Sequence, residues 1–410
     1  MKKFIYILFA AAFLGTSCYK EQTVTDDGKL PIFRGYMQFS THVSNSRAHL
    51  AEDMRGKHFG VIGFKYSPTS NWETSKSTAS PGDWFYNEDV ACNADNGVCS
   101  YDPVKQWENY NYSFFAYHPY ESGTGGTGIL LSENSVTNTP MLTYTYGWLN
   151  QQGNISVYDS DSPIFDLMTA EAIDVNGNGS GTVSLDFNHR LFAFEVLVNN
   201  YNETTYKYEV DENGDFILDD KGNKKFKLDA NGNKIVDVSA AQTITNLTLT
   251  LEGLENTSMT IPLSMLNDEE NEKIAYIAGD VGTRTFSLSS GEGLIIPAFN
   301  ETLDRTFNGV TETCGAGVAT SISKYGHPNG GYLFLIPQGG TNTGVTGTVS
   351  WDELNDFESE DVTNTFTSTI DFAPGVLYQI HINFVGSGIT IALIEAGAWD
   401  THPDVEHNFE

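Results

Sequence analysis

Side chains that could do chemistry must converge, so the acids, histidines and cysteines are the place to begin. The 410-residue chain carries 53 Asp and Glu, nine His and four Cys. Acids are so abundant that no pair stands out. The two carboxylates of a glycosidase are defined by their separation in space, which spacing along the chain does not give. The histidines are scattered, with no HExxH pair and no nearby carboxylate at ligand spacing. There is no Gly-x-Ser-x-Gly elbow and no phosphate-binding glycine loop. His189 sits among apolar residues and reads as a hydrogen-bonded core histidine before a ligand or base. Asp174-Val175-Asn176-Gly177-Asn178-Gly179 opens like a calcium loop, yet Leu185 stands at the closing position, so a turn is the favoured reading. Three acid-and-glycine units between Asp211 and Val238 fall short of the same spacing and also read as turns. Neither a catalytic residue nor a metal or other cofactor is expected. The Trp and Tyr of the first half could line a sugar platform, although core and cross-strand packing accounts for most of them.

Lys and Arg total only 22, for a formal charge of −31. So acidic a chain is a poor partner for nucleic acid or, through basic patches, for anionic membrane. At the N-terminus Lys2 and Lys3 precede the apolar run Phe4–Leu14, which fits a signal peptide and is too short to span a membrane. Gly15, Thr16, Ser17 and Cys18 follow. A Cys after small residues resembles a bacterial lipobox, which implies cleavage before Cys18 and lipidation of its sulfur. Ordinary secretion, with Cys18 in the discarded peptide, is the other reading. Either way the chain is exported. Cys92 and Cys99 bracket an Asn-Gly turn signal, and in an oxidising compartment they are expected to bridge across it. Cys314 is left over and reads as a buried free thiol.

The elements that must position these residues are strands. Twenty Tyr, 25 Phe and 39 Gly suit strands and tight turns better than helices. In Val183–Val198, Val183, Leu185 and Phe187 alternate with polar residues. After His189 and Arg190 the apolar positions Phe192, Phe194, Val196 and Val198 fall on the other parity. A period-two chain cannot change faces without a bulge or a sheet switch, expected at His189–Leu191. The glycine-rich Asp174–Gly181 reads as a linker, so a second domain is expected to begin there. The expected organisation is a signal peptide over 1–17, a tether over 18–30, one β-sandwich over 31–178 and another over 179–410. A hairpin insertion is expected at 203–238. Tyr36–Val43 is the first strand, and Tyr110, Tyr112, Phe114 and Ala116 are placed on one face of another. Ser264–Lys273 could form one helical turn.

Several local patterns, in order along nearly the whole mature chain, resemble the fimbrillin-like proteins of bacteroidete type V pili. They are the lipobox at Cys18, the first strand followed by Ser46-Arg47-Ala48, and Phe59-Gly60-Val61. Trp107 leading to Phe114-Phe115-Ala116-Tyr117-His118-Pro119, and Asp166-Leu167-Met168, come next. Phe187-Asn188-His189-Arg190-Leu191, Leu335-Ile336-Pro337-Gln338, and Pro374-Gly375 with Tyr378 and Trp399 complete the series. The resemblance implies an all-β chain of two tandem transthyretin-like antiparallel sandwiches, without catalysis. It implies export to the outer membrane as a lipoprotein, arginine-specific cleavage that removes the first strand, and filling of the groove by a strand of the next subunit. Arg47 best fits the cleavage position, with Arg34 and Arg55 as alternatives. A retained strand, with Arg47 only a loop residue, is an equally open reading. Partners would be other pilus subunits, with a host or bacterial surface protein or glycan as a further candidate. The acidic tail Asp400–Glu410 departs from an apolar donor segment, so either Ile389–Ile394 donates or the chain is a tip or accessory subunit. A surface glycan-binding lipoprotein that does not polymerise is the alternative function.

Overall fold

The computed structural model describes residues 35–43, 54–79, 84–123, 127–133, 140–149, 155–156, 164–178, 181–263, 274–279, 281–288, 294–307, 310–314, 317–319, 332–338, 345–353, 361–368, 372–386 and 388–398. Nearly every element among them is a strand, as the composition predicts. Trp72–Ser75 is a single helical turn, opened by a reciprocal cap between Asn71 and Thr74.

A seven-stranded sheet runs in the order Gln38–Val43, Thr182–His189, Met168–Asn176, Asn111–His118, His58–Tyr66, Glu88–Cys92, Cys99–Ser100. Every pairing in it is antiparallel except the first, where Gln38–Val43 lies parallel to Thr182–His189. Its central strands are buried on both faces, and the sequence Phe59-Gly60-Val61-Ile62-Gly63-Phe64 explains how. Phe59 and Val61 enter one core, while Ile62 and Phe64 enter another. A side chain at Gly60 would collide with the Tyr117 ring, and one at Gly63 would press on the Phe114 and Phe85 side chains. The two glycines therefore seat a ring from the neighbouring strand on each face. Tyr112, Phe114 and Ala116 share the face expected of them, but Tyr110 lies before the strand and is exposed.

Thr182–His189 alternates exposed and buried along its full length. The chain then leaves the sheet. Phe192–Asn200 pairs parallel with Val376–Val385 and antiparallel with Leu333–Leu335 in a second sheet, so the parity change at His189–Leu191 is a switch between sheets. Thr182–His189 itself is a strand of the first sheet. The reason is long-range pairing, which places it between Gln38–Val43 and Met168–Asn176.

Most of the remaining strands form a five-stranded, a six-stranded and a four-stranded sheet around the second, larger core, where Trp148, Trp351 and Tyr378 are fully buried. The four-stranded sheet joins Ile129–Glu133 and Pro140–Thr145 to Asn256–Pro262 and Ala275–Ala278. Ile155–Ser156 likewise pairs with Arg284–Ser287. A division into 31–178 and 179–410 thus does not follow the sheets: parts of the first half are hydrogen-bonded into the second. The insertion at 203–238 is a separate small sheet, exposed nearly throughout, closed by pairing of Thr205–Tyr206 with Val236–Val238. The stretch Ser264–Lys273 lies outside the described residues.

Candidate functional site

The first strand is the element whose surroundings can do something. Its residues alternate: Met37, Phe39 and Val43 are at most 4% exposed, while Gln38, Ser40 and His42 face out. On one side it keeps register with Thr182–Phe187, from Gln38 opposite Thr182 to Val43 opposite Phe187. On the other, the Met37 amide donates to the Lys105 carbonyl (2.8 Å), the Trp107 amide to the Gly35 carbonyl (3.1 Å), and Tyr36 bridges Gln106. The Tyr101 hydroxyl donates to the Met37 carbonyl (3.2 Å). The strand thus lies between two walls, which touch at its start, where the Trp107 indole donates to the Gly181 carbonyl (3.2 Å).

Phe39 is the plug. Its ring lies 5.5 to 6.5 Å, centroid to centroid, from Phe114, Tyr101, Phe85 and Phe59, mostly edge-to-face. Burying Met37, Phe39 and Val43 contributes about 1.5–3 kcal/mol each, before the cost of ordering the strand. Without the strand, four rings and two rows of main-chain groups would face water. Such a groove has the shape and the unpaired main-chain groups to take extended backbone.

The second wall is held by a staple. Cys92 and Cys99 are joined by a disulfide and lie opposite each other in the antiparallel pair Glu88–Cys92 with Cys99–Ser100. The turn between them is self-satisfied: Asn93 Oδ1 accepts from the Asp95 and Asn96 amides, and Gly97 adopts φ +70°. Tyr101 and the wall residues Lys105–Trp107 follow directly.

Cys18, Arg34 and Arg47 lie outside the described residues. Arg55 is exposed at a turn, next to Gly56 at φ +68°. The Met54 amide donates to Thr41 Oγ1 (3.2 Å), so the chain returns from residues 44–53 directly against the first strand. Cys314 ends the strand Val310–Cys314, and its side chain is outside the described set. Ile389–Ile394 lies within Gly388–Ala398, paired along its length with Val376–Val385, with Ile389, Ile391 and Leu393 packed on the larger core.

The calcium-like stretches spend their oxygens internally. Asp174 Oδ1 accepts from the Tyr66 hydroxyl (2.6 Å) and the Trp72 amide (2.7 Å). Asp211, Asp219 and Asp229 each accept through Oδ1 from the amides two and four residues on, at 2.8–3.0 Å. Those amides hold the three carboxyls below the usual range. His189 is 6% exposed, its Nδ1 2.6 Å from Asp166 Oδ2. Among the described residues no group of three or more His, Cys, Asp or Glu is gathered as a metal would need.

Two parts of the site had no signal of their own. Lys105–Trp107 lacks alternation, and nothing local ties Thr182–His189 to a strand about 140 residues earlier.

Comparison with known proteins settles the family. The fimbrillin-like family model matches residues 47–299, more than half of the chain. The chain belongs to the fimbrillin-like family. The matched stretch of this fimbrillin-like chain begins just past the first strand. A fimbrial protein from Bacteroides vulgatus is 15% identical, with a TM-score of 0.49, over 89% of this chain and 100% of that one. A candidate cell adhesion protein from Bacteroides ovatus is 13% identical, with a TM-score of 0.46, over 91% and 100%. Another from Bacteroides uniformis is 12% identical, with a TM-score of 0.42, over 90% and 100%. No curated protein matches the chain.

Proposed function

We propose that this fimbrillin-like chain is a non-enzymatic pilus subunit that accepts a strand from a neighbour once its own first strand has been cut free. The observation that carries this is the strand Gln38–Val43, the one parallel member of its sheet, which plugs an aromatic groove, pairs along its length with Thr182–Phe187 and is tied to the other wall through Gly35 and Met37 just before it. Cleavage after Arg47 would sever the strand from the body at the only arginine between Val43 and Met54. With Cys18 lipidated, the same cut would release the body from its outer-membrane anchor. Filling of the emptied groove by a partner's extended segment restores both main-chain ladders and ring contacts.

A tip or accessory position fits better than a shaft position. Ile389–Ile394, the apolar segment that could be donated, is already paired in the chain's own sheet, and Ile389, Ile391 and Leu393 pack on the core. Withdrawing it would expose that core. The body is read as two sandwich units meeting near Arg190–Leu191.

Limited trypsin with intact-mass analysis of the chain beginning after Cys18 tests the reading. A single product starting at Ala48, still folded and able to bind a partner subunit, is expected. Resistance at Arg47, or unfolding on cutting, would mean that the strand is retained. A soluble-glycan screen would then test the non-polymerising glycan-binding alternative.

A further inference from the structure

The insertion after Asn200 has a face that strand exchange does not use. Single bridges join Tyr208 to Phe226, Val210 to Phe216, Leu218 to Lys224 and Leu228 to Lys234, and Tyr206 is paired with Val236. Bridged residues stand on the same side of a sheet and strands repeat every two residues, so these positions share one face. Four rings and four aliphatic side chains fill it. Its own charges are Lys224 and Lys234; Glu301, from outside the insertion, accepts from the Tyr206 hydroxyl at its base (2.7 Å).

The rings are spent on one another. Tyr208 stacks on Phe226 at 4.9 Å and meets Phe216 edge-on at 5.6 Å, while Tyr206 meets Phe226 edge-on at 5.9 Å. Lys224 Nζ lies 3.7 Å from the Phe216 centroid, and Lys234 Nζ 4.0 Å from that of Phe226. With ring faces covered, the face offers positive ring edges, ammonium groups and aliphatic side chains. A sugar, which needs an open ring face and several hydrogen-bonding groups, finds little here. Yet Val210, Phe216, Leu218 and Leu228 are 47–56% exposed. Together the side chains present roughly 600 Å² of apolar surface, at the upper end of what a monomer leaves uncovered.

We propose that this aromatic–lysine face docks on the acidic surface of a second copy of the chain. Residues 203–238 hold 6 of the 22 Lys and Arg and 9 of the 53 acids, which leaves 16 cations against 44 acids elsewhere. A second copy therefore offers the two lysines a large excess of carboxylates over cations. Two such faces cannot pack on each other, because lysine would meet lysine. The contact is head-to-tail and open-ended. Its area is below the roughly 800 Å² per partner of a stable interface, so the contact is weak and depends on concentration. The same acidity repels anionic lipid.

Carbodiimide coupling, which joins Lys directly to Asp or Glu in ion-pair contact, tests this on the uncut full chain, so the outcome does not depend on cleavage at Arg47. Equal amounts of unlabelled and heavy-nitrogen-labelled copies are coupled at high concentration and mapped by mass spectrometry. Lys224 and Lys234 should give mixed-isotope links, lost several-fold at about 0.5 M salt. Self-association measured by sedimentation should weaken about tenfold in Lys224→Glu/Lys234→Glu. Lys221→Glu, in the turn, should leave it unchanged. Absence of inter-copy links from these two lysines, links spread evenly over all lysines, or unchanged association of the double variant would overturn the proposal. So would binding of an acidic glycan, abolished in the double variant, by a chain that stays monomeric.

Discussion

Phe39 makes its four ring contacts from the second position of a six-residue strand, so one side chain decides how firmly the groove is filled. Phe39→Ala removes those contacts and leaves a cavity that the surrounding strands cannot collapse. A loss of about 3–5 kcal/mol is expected by denaturant titration, together with faster release of the strand after cutting. His118 makes a second residue-scale prediction. It is 7% exposed with Nδ1 2.7 Å from the His58 carbonyl; burial, helped by Lys57, depresses its pKa to about 4. The unfolded chain takes up that proton near pH 6.5, the folded chain only near pH 4. Between these values the unfolded state binds more protons, so stability falls as pH drops through the window, by about 3 kcal/mol at its lower end. Thermal melts from pH 7 to 4 should show this decline. His118→Asn should flatten it, and an equally steep decline in that variant would assign the slope to other groups.

At the scale of elements, the Cys92–Cys99 staple ties together the strands that precede the Lys105–Trp107 wall. Closing so short a loop is worth about 2.5 kcal/mol in the chain-entropy account. Cys92→Ser/Cys99→Ser should lose about that much, and amide exchange should rise first at residues 101–107 and in the first strand. Uniform acceleration across both cores would mean that the staple does not serve the groove. This is also the scale at which the sequence was partly legible. Alternation in Thr182–His189, the parity change after it, the Trp107–Pro119 run and the three turn glycines at 214, 222 and 232 all correspond to elements in the fold. These are local signals, set by period and by turn chemistry. Which strand lies beside which is not local. Period two fixes the face a side chain takes but not its neighbour. The parallel partnership of Gln38–Val43 with Thr182–Phe187, and that of Pro140–Thr145 with Asn256–Pro262, carry no mark in either segment. The glycine run at 174–181 looks like a linker, yet the strands Met168–Asn176 and Thr182–His189, which it overlaps and leads into, pair within one sheet. The wall at Lys105–Trp107 was missed because it touches the first strand through backbone alone at two of its three positions.

For the whole molecule, a charge of −31 repels copies from one another, while the proposed emptying of the first-strand groove would bring one partner segment in. Specific backbone pairing then wins over general repulsion, and assembly should quicken as salt screens that charge. The same salt should weaken the lysine-face contact, so the two modes of association separate in one titration. The central claim is that the first strand is an exchangeable plug. Its most direct test is to cut the chain after Arg47 and add a fluorescent peptide with the sequence Tyr36–Val43 in excess. Saturable uptake at the rate the native fragment leaves, reduced when the peptide carries Phe39→Asp, is the predicted result. A cut body that holds its original strand indefinitely, or unfolds rather than exchanging it, would contradict the account.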